Sequence, residues 1–254
     1  MYAMDLTNKI AIVTGGTSGI GKAIVDAFLD CGAKVAVADM APPATTESEQ
    51  FFYQQVDVSD QKQVTTMVDN VIAHFGRIDI LVNNAGISTM DYFVDINEQD
   101  WDKTMDVNAK GVYMCMQTVA RKLQQQGEGG KIINIASQAG KNGYRLMGSY
   151  VASKHAVLGM TKVAAIELAK DQINVNAVCP GIVETEMKKK ERVIGGNLRG
   201  VDAAAIQAED HSQVPLGRTA VPADIANVVV FLASNYANYM TGQGINVTGG
   251  MTMH

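Results

Sequence analysis

Cysteine is scarce in this chain: Cys31, Cys115 and Cys179 are its three, far apart, with no CxxC pair and no Cys/His cluster. That distribution excludes a disulfide framework and a structural zinc site, so no metal is expected and a reduced, cytoplasmic setting fits best. Basic excess is also missing. The formal net charge is −5, which leaves no electrostatic footprint for nucleic acid or an anionic membrane. No apolar run approaches the roughly 18 residues of a membrane span, and the opening MYAMDLTNK lacks the apolar centre of a secretory signal. Linkers, internal repeats and low-complexity tracts are absent. What is present is apolar bulk: 47% of 254 residues, enough to bury a large core in one α/β domain spanning residues 1–254.

Short β-branched runs alternate with longer helical patterns. KIAIVTGG, AKVAVADM, FFYQQVDVSD, IDILVNNAG, GKIINIAS, INVNAVCPG and GINVTGG read as strands. Helices are expected over residues 19–32, 61–75, 97–106, 110–125 and 148–170. The strands are apolar throughout rather than alternating, as happens where both faces of a sheet are covered. Repeated strand–helix units predict an α/β, doubly wound parallel sheet of the Rossmann type. Residues 184–217 depart from this rhythm: polar, helix-prone and too long for an ordinary connection. Because the segment follows a strand end, where ligands bind in open α/β sheets, it reads as a helical substrate lid.

The first strand runs into Thr14-Gly15-Gly16-Thr17-Ser18-Gly19-Ile20-Gly21. Glycines let a backbone turn tightly against a pyrophosphate, and the following helix offers its N-terminal N–H groups to the anion. The spacing Gly-x-x-x-Gly-x-Gly is not the commoner G-x-G-x-x-G, so by itself the stretch is equally a plain strand-to-helix turn. Asp39 ends the second strand, where a carboxylate would accept hydrogen bonds from an adenosine ribose and repel a 2′-phosphate. Neither Ser18 nor Met40 supplies a compensating cation, so NAD is the expected cofactor rather than NADP. Asp57-Val58 either holds the adenine edge or starts a turn. Asn84-Ala85-Gly86 falls after the fourth strand, on the cofactor side of the sheet.

A second group carries the chemistry. Tyr150 and Lys154 are four residues apart on a predicted helix and therefore neighbours on one face. A phenol with a free pKa of about 10 is a poor proton carrier near neutrality, and an adjacent cation would lower that pKa. Ser137 could hold the oxygen whose proton moves. Alone, Tyr-x-x-x-Lys is a common surface pairing; its meaning depends on context.

In order and spacing, Thr14-Gly15-x-x-x-Gly19-Ile20-Gly21, Asn83-Asn84-Ala85-Gly86, Asn108, Ser137, Tyr150-x-x-x-Lys154 and Pro180-Gly181 resemble the short-chain dehydrogenase/reductase family over essentially the whole chain. The resemblance implies an oxidoreductase acting on a CH–OH group, with Tyr150 as general acid/base and Lys154 lowering its pKa while binding the nicotinamide ribose. It implies Ser137 on the substrate oxygen and Asn108 holding a water that links Lys154 to solvent. Pro180 and Gly181 would shape the nicotinamide pocket, with Val183 and Thr185 on the carboxamide. Relatives of this size are commonly homotetramers, and the apolar residues on several faces of the stretch 107–123 are compatible with such a contact.

GGKIINIASQAGKNG, CPGIVETEM and YMTGQGINVTGGM are similar to segments of sorbitol-type polyol dehydrogenases and of acetoin (diacetyl) reductases, and the ending also to sorbitol-6-phosphate dehydrogenases. A small polyol is the expected substrate; a small hydroxy-ketone or a sugar-alcohol phosphate is the alternative. A 3-oxoacyl reductase or a non-catalytic NAD-binding regulator is less favoured. Gln138 is a candidate for a neighbouring hydroxyl or else a solvent-facing loop residue; Asn142 and the lid residue His211 are weaker candidates. Lys188-Lys189-Lys190-Glu191-Arg192 either draws in an anion or, more simply, forms a solvated helix face.

Overall fold

The computed structural model describes residues 4–44 and 48–254. Among these residues, seven parallel strands form one sheet in the order β3-β2-β1-β4-β5-β6-β7. They are β1 (Ile10–Thr14), β2 (Lys34–Asp39), β3 (Phe51–Gln55), β4 (Ile80–Asn83), β5 (Gly130–Ile135), β6 (Ile173–Pro180) and β7 (Gly244–Val247). Helices α1 (Gly19–Asp30), α2 (Gln61–Phe75), α3 (Glu98–Met105), α4 (Gly111–Gln126), α5 (Gly148–Leu168), α6 (Glu186–Arg199), α7 (Ala203–Ser212) and α8 (Pro222–Ala233) complete it.

The unbroken apolar character of the strands has a direct structural cause. Along β1, Ile10 and Ile12 enter one core with α2, α4 and α5, while Ala11 and Val13 enter a second core with α1 and α8. Both faces of β1 are thus covered, and all five of its residues are buried. The strand order reverses between β1 and β4, which opens a crevice at their carboxyl ends. The functional residues gather there.

Two features differ from the expected elements. The helices α3 and α4 are not separate: a π-helical turn, Asp106–Lys110, joins them without a break. Its cause is Asn108, fully buried, whose amide pairs both ways with the Ile87 backbone: Ile87 N–H donates to Oδ1 at 2.8 Å and Nδ2 donates to the Ile87 carbonyl at 2.8 Å. Such single π turns recur at functional sites. Helix α8 went unpredicted because residues 225–233 are almost entirely apolar, which masks the 3.6 period. Its signal was at the start: Pro222 in the first helical position and Asp224 accepting from the Val221 N–H at 2.8 Å.

Candidate active site

One cleft of about 770 Å³ runs along the carboxyl ends of the strands, from Asp39 and Asp57 at one end to the helices α6 and α7 at the other. Its first half is built by glycine. Gly15 has φ +64° and packs against the start of the β4 loop, where an added Cβ would stand 2.8 Å from Ala85 Cα. Asn84 locks that approach, its Nδ2 donating to the Thr14 and Gly15 carbonyls at 3.1 and 2.8 Å. Gly19 has φ +54° and only the Thr185 side chain near it, so its face is open to the cleft. Ser18, at the N-cap of α1, makes no side-chain capping bond, and the first turn holds no acidic residue. The first N–H groups of α1 are therefore left for an external anion. This cradle fits a pyrophosphate.

Most of the cofactor-side residues named from sequence line this cleft: Gly15, Ser18, Gly19, Ile20, Asp39, Met40, Asp57, Val58, Asn84, Ala85, Gly86, Pro180, Gly181, Val183 and Thr185. Two stand behind it. Thr17 donates its N–H and hydroxyl to Asp39 Oδ2 at 3.1 and 2.7 Å, tying the glycine turn to the end of β2. Gly21 lies under the turn, where an added Cβ would collide with the Gly15 carbonyl. Asp57 accepts from the Ser59 N–H and hydroxyl at 2.9 and 2.6 Å, so it does start a turn, with its residue still on the cleft wall.

At the other end, the sheet and α5 bring Ser137, Tyr150 and Lys154 together. Ser137 follows β5 and caps a short 3-10 turn, its Oγ accepting from the Ala139 N–H at 3.0 Å. That turn sits hard on α5: a Cβ on Gly140 would come within 2.8 Å of the Lys154 carbonyl. The seating puts Ser137 and Tyr150 on the same stretch of cleft wall. Lys154, 4% exposed, donates to the Ile135 carbonyl at 2.8 Å, with its Nζ 5.5 Å from the centre of the Tyr150 ring. Asn108 lies outside the cleft lining but next to the lysine; a Cβ on Gly86 would be 3.2 Å from Asn108 Oδ1 and 3.7 Å from Lys154 Nζ. Ser153 bridges the two elements, receiving from Asn108 Nδ2 at 3.2 Å and donating to the Tyr150 carbonyl at 2.7 Å.

The proton affinities correct one expectation. The adjacent lysine does not decide the net direction for the phenol. Burial pushes the Tyr150 pKa well above its ordinary value, the negative charge of Glu191 adds to the rise, and the Ser137 hydroxyl opposes it. Burial also pushes Lys154 down to about 8, with the Cys179 charge opposing the fall. Desolvation penalises the charged form of each group and is the largest cause in both.

The substrate candidates divide. Gln138 is buried on the cleft wall, its Oε1 accepting from Thr252 Oγ1 at 3.3 Å, so it is not a solvent-facing residue. Asn142 does not line the cleft; its amide donates to Thr252 Oγ1 at 2.9 Å. His211 also stays off the lining, half-exposed, 3.9 Å from Glu184. Segment 184–217 leaves the sheet at a narrow neck, where Glu184 N–H bonds the Ala220 carbonyl and Ala220 N–H bonds the Ile182 carbonyl, both at 2.8 Å. Its two helices, α6 and α7, wall the cleft.

The basic run is not a simple solvated face. Arg192, 4% exposed, turns inward and forks onto Glu184 at 2.7 and 2.8 Å while its Nε donates to Asp210 at 2.8 Å. Lys188 also points inward, 3.4 Å from Asp210 and 3.7 Å from Glu191. Lys189 is the exposed one, paired with Glu186. Sequence reading missed Glu184, Glu191 and Asp210 as members of the site. The signal available was a carboxylate before the run, Glu184, and one within it, Glu191, but Asp210 is 18 residues from Arg192, beyond any local rule.

Among the described residues no group of three metal-ligating side chains exists, and no helix is long and apolar enough to cross a membrane. The chain matches the family model described as Enoyl-(Acyl carrier protein) reductase over residues 15–252. It is 39% identical to galactitol 2-dehydrogenase of Agrobacterium fabrum, covering 98% of this chain and 100% of that protein. It is likewise 39% identical to a 3-oxoacyl-(acyl-carrier-protein) reductase of Staphylococcus epidermidis, covering 97% of this chain and 100% of that one. The structure of Thermoplasma acidophilum aldohexose dehydrogenase superposes with a TM-score of 0.90 at 32% identity, covering 98% of this chain and 96% of that one. A glycine cradle for a dinucleotide, a Ser/Tyr/Lys group at the far end of the same cleft and full-length likeness in sequence and fold agree: the chain belongs to the short-chain dehydrogenase/reductase family and is an oxidoreductase that uses a nicotinamide cofactor.

Proposed function

We propose that this enzyme interconverts a secondary alcohol and a ketone on a small neutral polyol, with NAD(H) as its cofactor. The observation that carries the substrate reading is the charge arrangement of the cleft wall. Behind the lining, Arg192 is committed to Glu184 and Asp210, while on the lining Lys188 stands between Asp210 at 3.4 Å and Glu191 at 3.7 Å. On that face carboxylates outnumber cations three to two, which favours an uncharged substrate over the sugar-alcohol phosphate alternative; Lys103 and Arg145, on the cleft wall without an acidic partner among the described residues, are the cations such a phosphate would have to use. The likeness to a galactitol and an aldohexose dehydrogenase supports a polyhydroxylated substrate. The equal likeness to a 3-oxoacyl reductase makes an acyl substrate the competing reading.

Asp39 supports NAD(H). Its carboxylate ends β2 on the cleft wall, where a 2′-phosphate would meet it, and the next residue, Met40, adds no cation. When bound, the nicotinamide supplies the hydride acceptor for alcohol oxidation and the hydride donor for ketone reduction. Tyr150, as phenolate, takes the hydroxyl proton during oxidation and, as phenol, returns it during reduction. Ser137 holds the same oxygen. Lys154 sits beneath, and Asn108 beside it marks where a water would connect it to solvent. Because burial raises the phenol's pKa, the protonated form prevails near neutrality, so alcohol oxidation should rise with pH.

The apolar Val163 and Ile166 are exposed on α5, as is Tyr113 on α4, which supports assembly through these helices into a homotetramer. The three free thiols suit a reducing, cytoplasmic setting. The test is a turnover screen with NAD⁺ over hexitols, vicinal diols and simple secondary alcohols, with 3-oxoacyl thioesters in the reducing direction and NADP(H) as control. Exclusive action on acyl thioesters, or a preference for NADP(H), would refute the reading.

A further inference from the structure

We propose that Glu191 selects hydroxyl-bearing substrates, its carboxylate accepting hydrogen bonds from the hydroxyls that flank the carbinol held at Tyr150 and Ser137. The inference rests on the polyol reading and deepens it. Glu191 shares the cleft wall with Ser137, Gln138 and Tyr150. Among the described residues of segment 184–217 it is the one carboxylate that accepts no hydrogen bond. Glu184 takes Arg192 and Thr219, Glu186 takes Lys189, Asp202 takes the Ala205 N–H, Glu209 takes Arg199, and Asp210 takes Arg192. The Glu191 side chain is nevertheless only 14% exposed, and its one recorded partner is Lys188 Nζ at 3.7 Å, beyond hydrogen-bond distance.

Neither Glu191 oxygen is sealed from solvent, so a carboxylate that has no protein donor here is one whose water a substrate hydroxyl can replace. A hydroxyl next to the reacting carbinol is a donor of the right kind. Lys188, whose Nζ makes no side-chain hydrogen bond, adds donors beside the acceptor. A polyol hydroxyl both gives and accepts, so it matches the pair; a lone alcohol or an acyl chain does not. Selectivity of this kind is strong because an analogue lacking the hydroxyl leaves the protein's polar group unpaired.

The location also couples substrate recognition to the proton-transfer group. The charged and titratable groups that share this part of the cleft wall with Tyr150 are Lys154 on its own helix, Glu186, Lys188, Glu191 and Arg199 on α6, Glu209 and Asp210 on α7, Lys103 on α3, and Tyr144 and Arg145 on the loop before α5. Cys179 on β6 acts on Lys154 from below. Of these, Glu191 is the charge that adds to the phenol's raised proton affinity. Removing it lowers that affinity, so the phenolate needed for oxidation forms at lower pH.

The test compares kcat/KM for a hexitol and for a simple secondary alcohol with NAD⁺ in full-length enzyme. In Glu191→Ala the hexitol-to-monoalcohol ratio should fall about 10- to 100-fold, the worth of hydrogen bonds to a charged acceptor. In Glu191→Gln, which keeps the shape and loses the charge, the acid limb of the kcat/KM profile should move to lower pH. A purely structural Glu191 would lower both substrates alike and leave the limb in place, and either result overturns the inference while the polyol reading stands. Wild-type enzyme that turns over acyl thioesters and no polyol overturns the polyol reading itself, and the role of Glu191 falls with it.

Discussion

Replacing Arg192 by methionine should destabilise the protein far more than an ordinary lid substitution. The guanidinium is 5% exposed and makes three charged hydrogen bonds, two to Glu184 and one to Asp210, between 2.7 and 2.8 Å. Methionine keeps most of the apolar stem and removes every donor. Asp210, 11% exposed, would retain only Lys188 at 3.4 Å, while Glu184, 30% exposed, keeps Thr219 and can rehydrate. Breaking a buried pair on one side costs about 3–5 kcal/mol, and the partial exposure of Glu184 places this case near 3. For a chain of this size that is a drop in Tm of about 6–12 °C if the segment unfolds with the rest. Thermal and urea denaturation measure it, with hydrogen exchange over residues 186–212 to detect local opening instead. The reasoning also demands that Glu184→Gln and Asp210→Asn, added to Arg192→Met, restore part of the loss, because the cost lies in stranded charge. A single variant that loses less than about 1 kcal/mol without local opening, or a triple variant less stable than the single, refutes it.

Tyr150→Phe should bind NADH with unchanged affinity in a fluorescence titration while kcat falls about 10²- to 10⁴-fold; retention of most turnover would remove Tyr150 as the acid/base. Asp39→Asn keeps an acceptor for Thr17 and deletes the charge, so the NAD⁺ to NADP⁺ ratio of kcat/KM should fall at least about tenfold, since like-charge contact costs several kcal/mol; an unchanged ratio would show that Asp39 does not set cofactor choice. Acid stability should depend on Glu184, whose pKa the Arg192 hydrogen bonds, despite burial, pull from 4.5 to about 2. A depressed carboxylate stabilises the fold above its unfolded pKa and loses that contribution as pH falls through its folded one. Wild-type stability should therefore drop more steeply than that of Arg192→Met between about pH 4.5 and 2; parallel curves would contradict the pairing.

Much of this protein could be read from its order of residues, because the relevant rules are local. Glycine at positions 15 and 19 is required by backbone geometry that other residues rarely adopt, φ +64° and +54°. Apolar strands announced a doubly covered sheet, and Tyr150 and Lys154 share a helix face by spacing alone. Tertiary structure decided what depends on distant neighbours. The helix pair α3/α4 is one continuous body because Asn108 finds the Ile87 backbone, 21 residues away. Asn142 is turned from the cleft by Thr252, 110 residues on. The basic run on α6 became an inward ion-pair network only because α7 delivers Asp210. Above all, the sign of the Tyr150 shift was beyond sequence: an adjacent lysine predicts a lowered pKa, and burial beside Glu191 reverses it. Spacing along a chain specifies which groups can be neighbours on one element; how dry they are, and whose charge they face, is set by the packing of elements far apart in sequence.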